Sequence, residues 1–209
     1  MKMKTKVILG VVTILILSIS LTSISSNMGF KLSMPLTANQ SKYISLPYYN
    51  SYATQNAATL RNDVIAAGGT SVEVFNWNGT AWQRYAGGGI GQVNFALQPG
   101  IGYQVKSTSA VSNWVIVGSH NPSTTISFTA NQSKYVSVPY HTTLTNAAGL
   151  RNEIIAVGGT SVEVFNWNGT AWQRYAGGGI GQVNFNLAPG LAYQIKSTSA
   201  CGPWAPSHY

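Results

Sequence analysis

Four carboxylates, three histidines and one cysteine are the side chains in these 209 residues best suited to acid–base work near neutral pH or to binding a metal. Glycoside hydrolysis needs two carboxylates flanking the scissile bond. The chain offers them in two matching sets, Asp63 or Glu153 on a helical stretch and Glu73 or Glu163 on a strand. The strand acid reads as the partner of a facing arginine, so structural roles are expected for all four and a hydrolase is the most distant of the functional alternatives. His120, His141 and His208 are scattered and Cys201 stands alone, without the spacing of a ligand set, so no metal site is expected. His120 and His208 are the one histidine position that recurs, and it lies where the copies diverge, which argues against a Ser-His-acid site. Gly87-Gly88-Gly89-Ile90-Gly91 follows a hairpin and precedes no Gly-Lys-Ser/Thr, so it reads as a bulged loop and not as a phosphate cradle. Neither a catalytic residue nor a cofactor is expected.

The aromatic residues are the candidates for ligand binding. Phe75, Trp77 and Trp82 recur as Phe165, Trp167 and Trp172, with Tyr85 and Tyr175 behind them. A row of rings on an open sheet face stacks on the apolar faces of sugars, and Asn76, Asn78 and Gln83 beside it supply partners for hydroxyls. The same rings also suit a core, where large aromatics bury the most area. Glu73 and Arg84 on that face argue for exposure, since charged pairs are seldom fully buried.

The elements that carry these residues come from a tandem duplication. Residues 61–110 and 151–200 are nearly the same sequence, and most differences exchange one small or apolar side chain for another, as in Val64/Ile154, Ala67/Val157, Ile101/Leu191 and Val105/Ile195. A repeat of this length suits an independent small domain, giving two beads on a string and not a solenoid. In each copy, Lys42–Tyr48 and Lys134–Tyr140 alternate as strands ending near a proline, and Tyr49–Gln55 reads as a linker. Leu60, Val64 and Ala67, like Leu150, Ile154 and Val157, fall at helical spacing, with Gly68 and Gly158 as left-handed stops and Thr145 or Asn146 as a cap. An Asn-Gly pair then joins two alternating runs into a hairpin. With Asn78 and Gly79 as the loop, Trp77 faces Thr80, Phe75 faces Trp82 and Glu73 faces Arg84, while Val72, Val74, Asn76, Gln83 and Tyr85 share the other side. Val93–Leu97 and Ile101–Ser107 follow as strands around a Pro99-Gly100 turn, and Asn113–Gly118 closes the first module. In the second copy Pro203 and Pro206 replace strand residues, so a normal last strand is expected to be missing and a sheet edge open. The expected fold is mainly β, with two tandem antiparallel sandwich or open-barrel modules, residues 27–121 and 122–209, each with one short helix.

At the N-terminus, three lysines precede the apolar run Val7–Leu17 and a serine-rich stretch, the pattern of a secretory signal over residues 1–25. An uncleaved signal anchor is the alternative, since Val7–Ile24 is about as long as the ~18 residues that span a bilayer. Without the three leader lysines, nine basic side chains remain against four acidic ones, net +5, and they lie singly. Nucleic acid, which calls for gathered basic groups, is therefore not expected as a partner. One cysteine gives no internal disulfide, so stability rests on the two cores. Sequons at Asn39, Asn78, Asn131 and Asn168 are what chance gives in a chain this rich in Asn, Ser and Thr.

The order Ser45-Leu46-Pro47-Tyr48, helix, Val-x-Val-x-x-Trp-Asn-Gly-x-x-Trp-x-x-Tyr, Asn-Phe-x-Leu-x-Pro-Gly-x-x-Tyr-x-Val covers residues 40–119 and 132–199. It resembles tandem β-rich modules of secreted and cell-surface proteins of bacteria and archaea. That resemblance implies an extracellular surface or matrix location and transfers no catalytic or binding residue. The expectation is a secreted, non-enzymatic protein whose partner is a polysaccharide or another surface protein, with no membrane contact once the leader is removed. Its alternative is a self-assembling homo-oligomeric subunit, in which a segment such as Gly29–Leu36 adds to the open edge.

Overall fold

The computed structural model describes residues 30–46, 49–50, 55–119 and 124–208, so the leader, Pro47, Tyr48 and His120 lie outside the described residues. Two similar mainly β modules follow one another. The first contains β1 (Phe30–Ser33), β2 (Ser41–Ser45), β3 (Tyr49–Asn50), α1 (Ala57–Ala66), β4 (Glu73–Trp77), β5 (Trp82–Tyr85), β6 (Gly102–Lys106) and β7 (Val115–Ser119). The second contains β8 (Ile126–Phe128), β9 (Ser133–Ser137), α2 (Ala147–Ala156), β10 (Glu163–Trp167), β11 (Trp172–Tyr175), β12 (Ala192–Lys196) and β13 (Cys201–Trp204). Each has an antiparallel four-stranded sheet, ordered β2-β6-β4-β5 and β9-β12-β10-β11, and a smaller second sheet, β1-β7-β3 or β8-β13.

Alternation dictates the core. Val72, Val74, Ile44, Tyr103 and Val105 point to one side of the first large sheet and meet Leu60 and Val64 of α1, with Trp114 and Ile116 from the second layer. The second module repeats this with Val162, Val164, Val136, Tyr193, Ile195, Leu150, Ile154 and Trp204. Asn56 and Asn146 cap the helices, accepting from the amides of Thr59 and Gly149, and the chain leaves each helix through Gly68 (φ 102°) and Gly158 (φ 98°).

Burial pushes the phenols of Tyr103 and Tyr193 up to about 12. The folded state thus holds these protons more tightly than the unfolded chain, whose phenols titrate near ~10. Their contribution is complete below about pH 10 and is lost as pH rises through about 12. Phenolate absorbance followed beside circular dichroism should show these two tyrosines ionising together with loss of the sheet signal; ionisation near 10 with the sheet intact would contradict their burial.

Four sequence expectations change. The hairpin pairs Trp77 with Trp82, Asn76 with Gln83, Phe75 with Arg84 and Val74 with Tyr85, one pair away from the expected register. Asn78 causes the shift: its Oδ1 accepts from the amides of Thr80 (3.0 Å) and Ala81 (2.9 Å), which makes Gly79-Thr80 the loop. Side-chain parity survives, so the faces are as expected, and Arg84 Nε still reaches Glu73 Oε1 at 2.8 Å, now diagonally. Val93–Leu97 is not a strand; it contributes the bridge Asn56–Ala96. Tyr49–Asn50, expected in a linker, forms β3 and pairs with β7. The divergent tail lacks the normal last strand, as expected; its one strand, β13, lies at the positions of Val111–Trp114 and contains Pro203 because its partner β8 leaves it as an edge and its register slips between Cys201 and Trp204. Among the described residues the counterpart of β7 is one bridge, Thr142–His208. Phe30–Ser33 already pairs with β7 of its own module and is not a free donor strand.

Candidate functional site

The aromatic face lies outside both cores and between the modules. β2, β6, β4 and β5 turn Tyr43, Gly102, Trp77 and Trp82 outward, and the equivalent face of the second module closes on them about a pseudo-twofold axis. Tyr43 stacks on Tyr135 with centroids 5.4 Å apart and planes 11° from parallel. Trp82 reaches Tyr135 at 5.2 Å and Trp172 reaches Tyr43 at 4.9 Å. The indole N–H of Trp77 donates to the Ser133 carbonyl at 2.9 Å, and that of Trp167 to the Ser41 carbonyl at 3.0 Å. Two reciprocal backbone bonds, Ser45 N–H to Gly190 O and Ser137 N–H to Gly100 O, both 2.9 Å, complete the joint. The beads are therefore docked face to face. Burial raises the Tyr43 and Tyr135 phenols, and for Tyr135 the neighbouring Tyr43 adds to it.

Of the six candidate ligand residues, Trp77 and Trp167 are held by these bonds, Phe75 and Phe165 lie half-buried on the same face, and Trp82 and Trp172 remain 39% and 40% exposed. They form a joint with open margins and not a flat row. Along the margins run two related clefts, each built from both modules. One, of about 270 Å³, is lined by Asn76, Trp77, Asn78 and Gln98 from the first module and Gln132 and Lys134 from the second. Its twin, of about 330 Å³, has Asn166, Trp167 and Asn168 facing Gln40, Ser41 and Lys42. The larger volume sits at the small end of the ~300–1,000 Å³ of ligand sites and the smaller just below it. Asn76 donates to Gln83 at 2.9 Å and Asn166 to Gln173 at 3.0 Å, which fixes their amides. Lys134 and Lys42 each donate to one carbonyl, Ser127 O and Pro35 O, at 2.8 Å, and burial lowers both ammonium pKa values. The lysines and glutamines of these clefts carried no signal in the sequence, because each cleft exists only when the modules meet.

All four acids have structural partners. Asp63 Oδ2 accepts the indole N–H of Trp114 at 2.8 Å, and Glu153 Oε2 that of Trp204 at 2.8 Å. Glu73 and Glu163 are paired with Arg84 and Arg174. His141 and His208, which the sequence left isolated, meet edge to face at 5.6 Å; loss of solvent and then the charge of His208 lower the His141 pKa. Among the described residues no group of three or more His, Cys, Asp or Glu is placed to hold a metal ion, and no helix is long and apolar enough to cross a membrane. Cys201 is buried in the second core, at the position held by Val111 in the first. In the glycine loop, Gln92 Oε1 accepts from the amides of Ala86 (2.7 Å) and Gly88 (3.1 Å), leaving Ile90 at the exposed tip.

One charge cluster was also hidden in the sequence. Arg61, Arg84 and Lys106, far apart along the chain, line a single groove of about 380 Å³ with Glu73, Ser71 and Thr108. Comparison with family models, with curated proteins and with solved structures finds no match.

Proposed function

We propose that this is a secreted, non-enzymatic component of a cell surface or matrix that binds polysaccharide in the two clefts between its modules. The observation behind this reading is the clefts themselves, two related sites lined by amides, hydroxyls and the flank of a tryptophan. Sugars offer the complementary groups, hydroxyls for the amides and C–H faces for the ring. Two like sites on one chain suit a repeating polymer, because a weak first contact raises the local concentration for the second. The carboxylates favour a non-enzymatic role, each being engaged with an indole or a guanidinium.

The test is a tryptophan-fluorescence titration of the protein with a panel of neutral and acidic polysaccharides, beside Gln40→Ala plus Gln132→Ala. Those two glutamines line the clefts, and their side-chain amides have no partner among the described residues. A saturable shift that weakens about tenfold in the double variant, with melting unchanged, is expected. No shift with any polymer sinks the reading. Self-assembly is the second reading, favoured by the self-complementary joint, whose two halves could also pair between chains. Sedimentation showing growth with concentration would support it.

A further inference from the structure

The basic residues that lie singly in the sequence are gathered at the far end of β4 from the hairpin tip. Three cations, Arg61, Arg84 and Lys106, share a groove with one acid, Glu73. Arg84 is committed to that acid, through Nε at 2.8 Å. Among the described residues Arg61 uses only its Nε, on Val72 O at 3.0 Å, which leaves the outer nitrogens of the guanidinium fork. The glycine loop makes room for that fork. Gly87 has φ +120°, and a Cβ there would stand 3.2 Å from Arg61 Cζ. Lys106 lies opposite Glu73 across the sheet, yet its ammonium has no hydrogen bond or ion pair among the described residues. The groove therefore holds net +2 and two sets of uncommitted donors.

The second module keeps every one of these residues. Arg151 Nε donates to Val162 O at 3.0 Å, Arg174 Nε to Glu163 Oε1 at 2.8 Å, Lys196 lies opposite Glu163, and a Cβ on Gly177 would stand 3.2 Å from Arg151 Cζ. We infer that the two grooves are anion sites that hold the carboxylate or sulfate-ester groups of an acidic polysaccharide. A guanidinium fork and an ammonium converging on one concavity match an oxyanion with several acceptor oxygens. Nucleic acid fits less well, because each cluster is separate and small where a backbone track needs a continuous stripe, and no aromatic ring lines the groove to stack a base. The grooves share no residue with the clefts, so they stand or fall independently of them. Within the first module, Glu73 of the groove and Trp77 of the neighbouring cleft lie on one face of β4, four residues apart, about 13 Å along the strand, so one acidic chain can reach both.

Calorimetric titrations with polygalacturonate, dextran sulfate and uncharged dextran, at low and high salt, test the inference. At least one acidic polymer should bind, more weakly as salt screens the groove. Lys106→Gln plus Lys196→Gln should weaken it about tenfold or more with the melting temperature kept, and Lys106→Arg plus Lys196→Arg should restore it. Acidic-polymer binding unchanged in the glutamine variant overturns the inference. So does an equal preference for dextran, which would leave the clefts as the only sugar sites. Thymidine oligonucleotides that bind as tightly as the acidic polymers, and are lost in the same variant, overturn it in favour of nucleic acid.

Discussion

Trp114→Ala is expected to destabilise the first module by about 3–5 kcal/mol, the range for emptying a buried tryptophan site. The ring is 1% exposed and sits against α1 and the second sheet, so its removal leaves a cavity that neighbouring side chains fill only in part. Its indole N–H also supplies a hydrogen bond to Asp63 Oδ2 at 2.8 Å, tying the helix to the second layer. Trp114→Phe separates the two effects: most of the ring stays and the donor goes, which should cost about 1–2 kcal/mol. Against a total of about 5–15 kcal/mol for a small domain, the alanine variant lies near the edge of folding. Chemical denaturation of both variants decides. Equal losses for Phe and Ala would place the stabilisation in the hydrogen bond, and a loss below about 1 kcal/mol for Ala would overturn the joint altogether. Trp204→Ala should repeat the result in the second module, where Glu153 Oε2 accepts the same bond at 2.8 Å.

That joint also marks how far the sequence could be read. Helical spacing of Leu60 and Val64 and strand alternation at Val72 and Val74 gave the core, because periodicity reports which residues share a face. It does not report what covers the other face. Phe75, Trp77 and Trp82 fit a core or an open surface equally well by spacing, whereas what covers the two tryptophans is β9 of the other module, with Tyr135 against Trp82 and the Ser133 carbonyl against Trp77. The Glu73–Arg84 pair was legible because the two are neighbours in one hairpin, even though the register slipped when Asn78 used its side chain in the turn. Asp63 and Trp114 are 51 residues apart, and nothing local links them. The tail was legible in part, since the missing last strand follows from its prolines but the edge strand before it does not. Pro203 argues against a central strand, but β13 is an edge strand, and what the fold needs there is Cys201 and Trp204 in the places of Val111 and Trp114.

Docking of the two modules makes sense of an otherwise small difference between the copies, glycine at 102 and alanine at 192. These equivalent positions face each other across the pseudo-twofold axis, where a Cβ built on Gly102 would fall 2.4 Å from Ala192 Cβ and 3.1 Å from Tyr135 Cβ. One methyl fits on the axis and two do not. The strand partners of these residues, Ser45 and Ser137, are buried there too, so the backbones have little room to move apart.

Gly102→Ala is accordingly expected to cost about 1–3 kcal/mol by overpacking, and Gly102→Val to separate the modules while leaving each core intact. Acrylamide quenching should then rise, because Trp77, Trp82, Trp167 and Trp172 lose their cover while Trp114 and Trp204 do not. The decisive variant is the exchange Gly102→Ala with Ala192→Gly. It moves the methyl to the other side of the axis, and if crowding across the axis is the cause, stability and quenching return close to their original values. A Gly102→Ala loss that Ala192→Gly fails to relieve would trace to Tyr135 or to the strand itself, and the pairing of equivalent positions would no longer explain why the duplicated copies differ here.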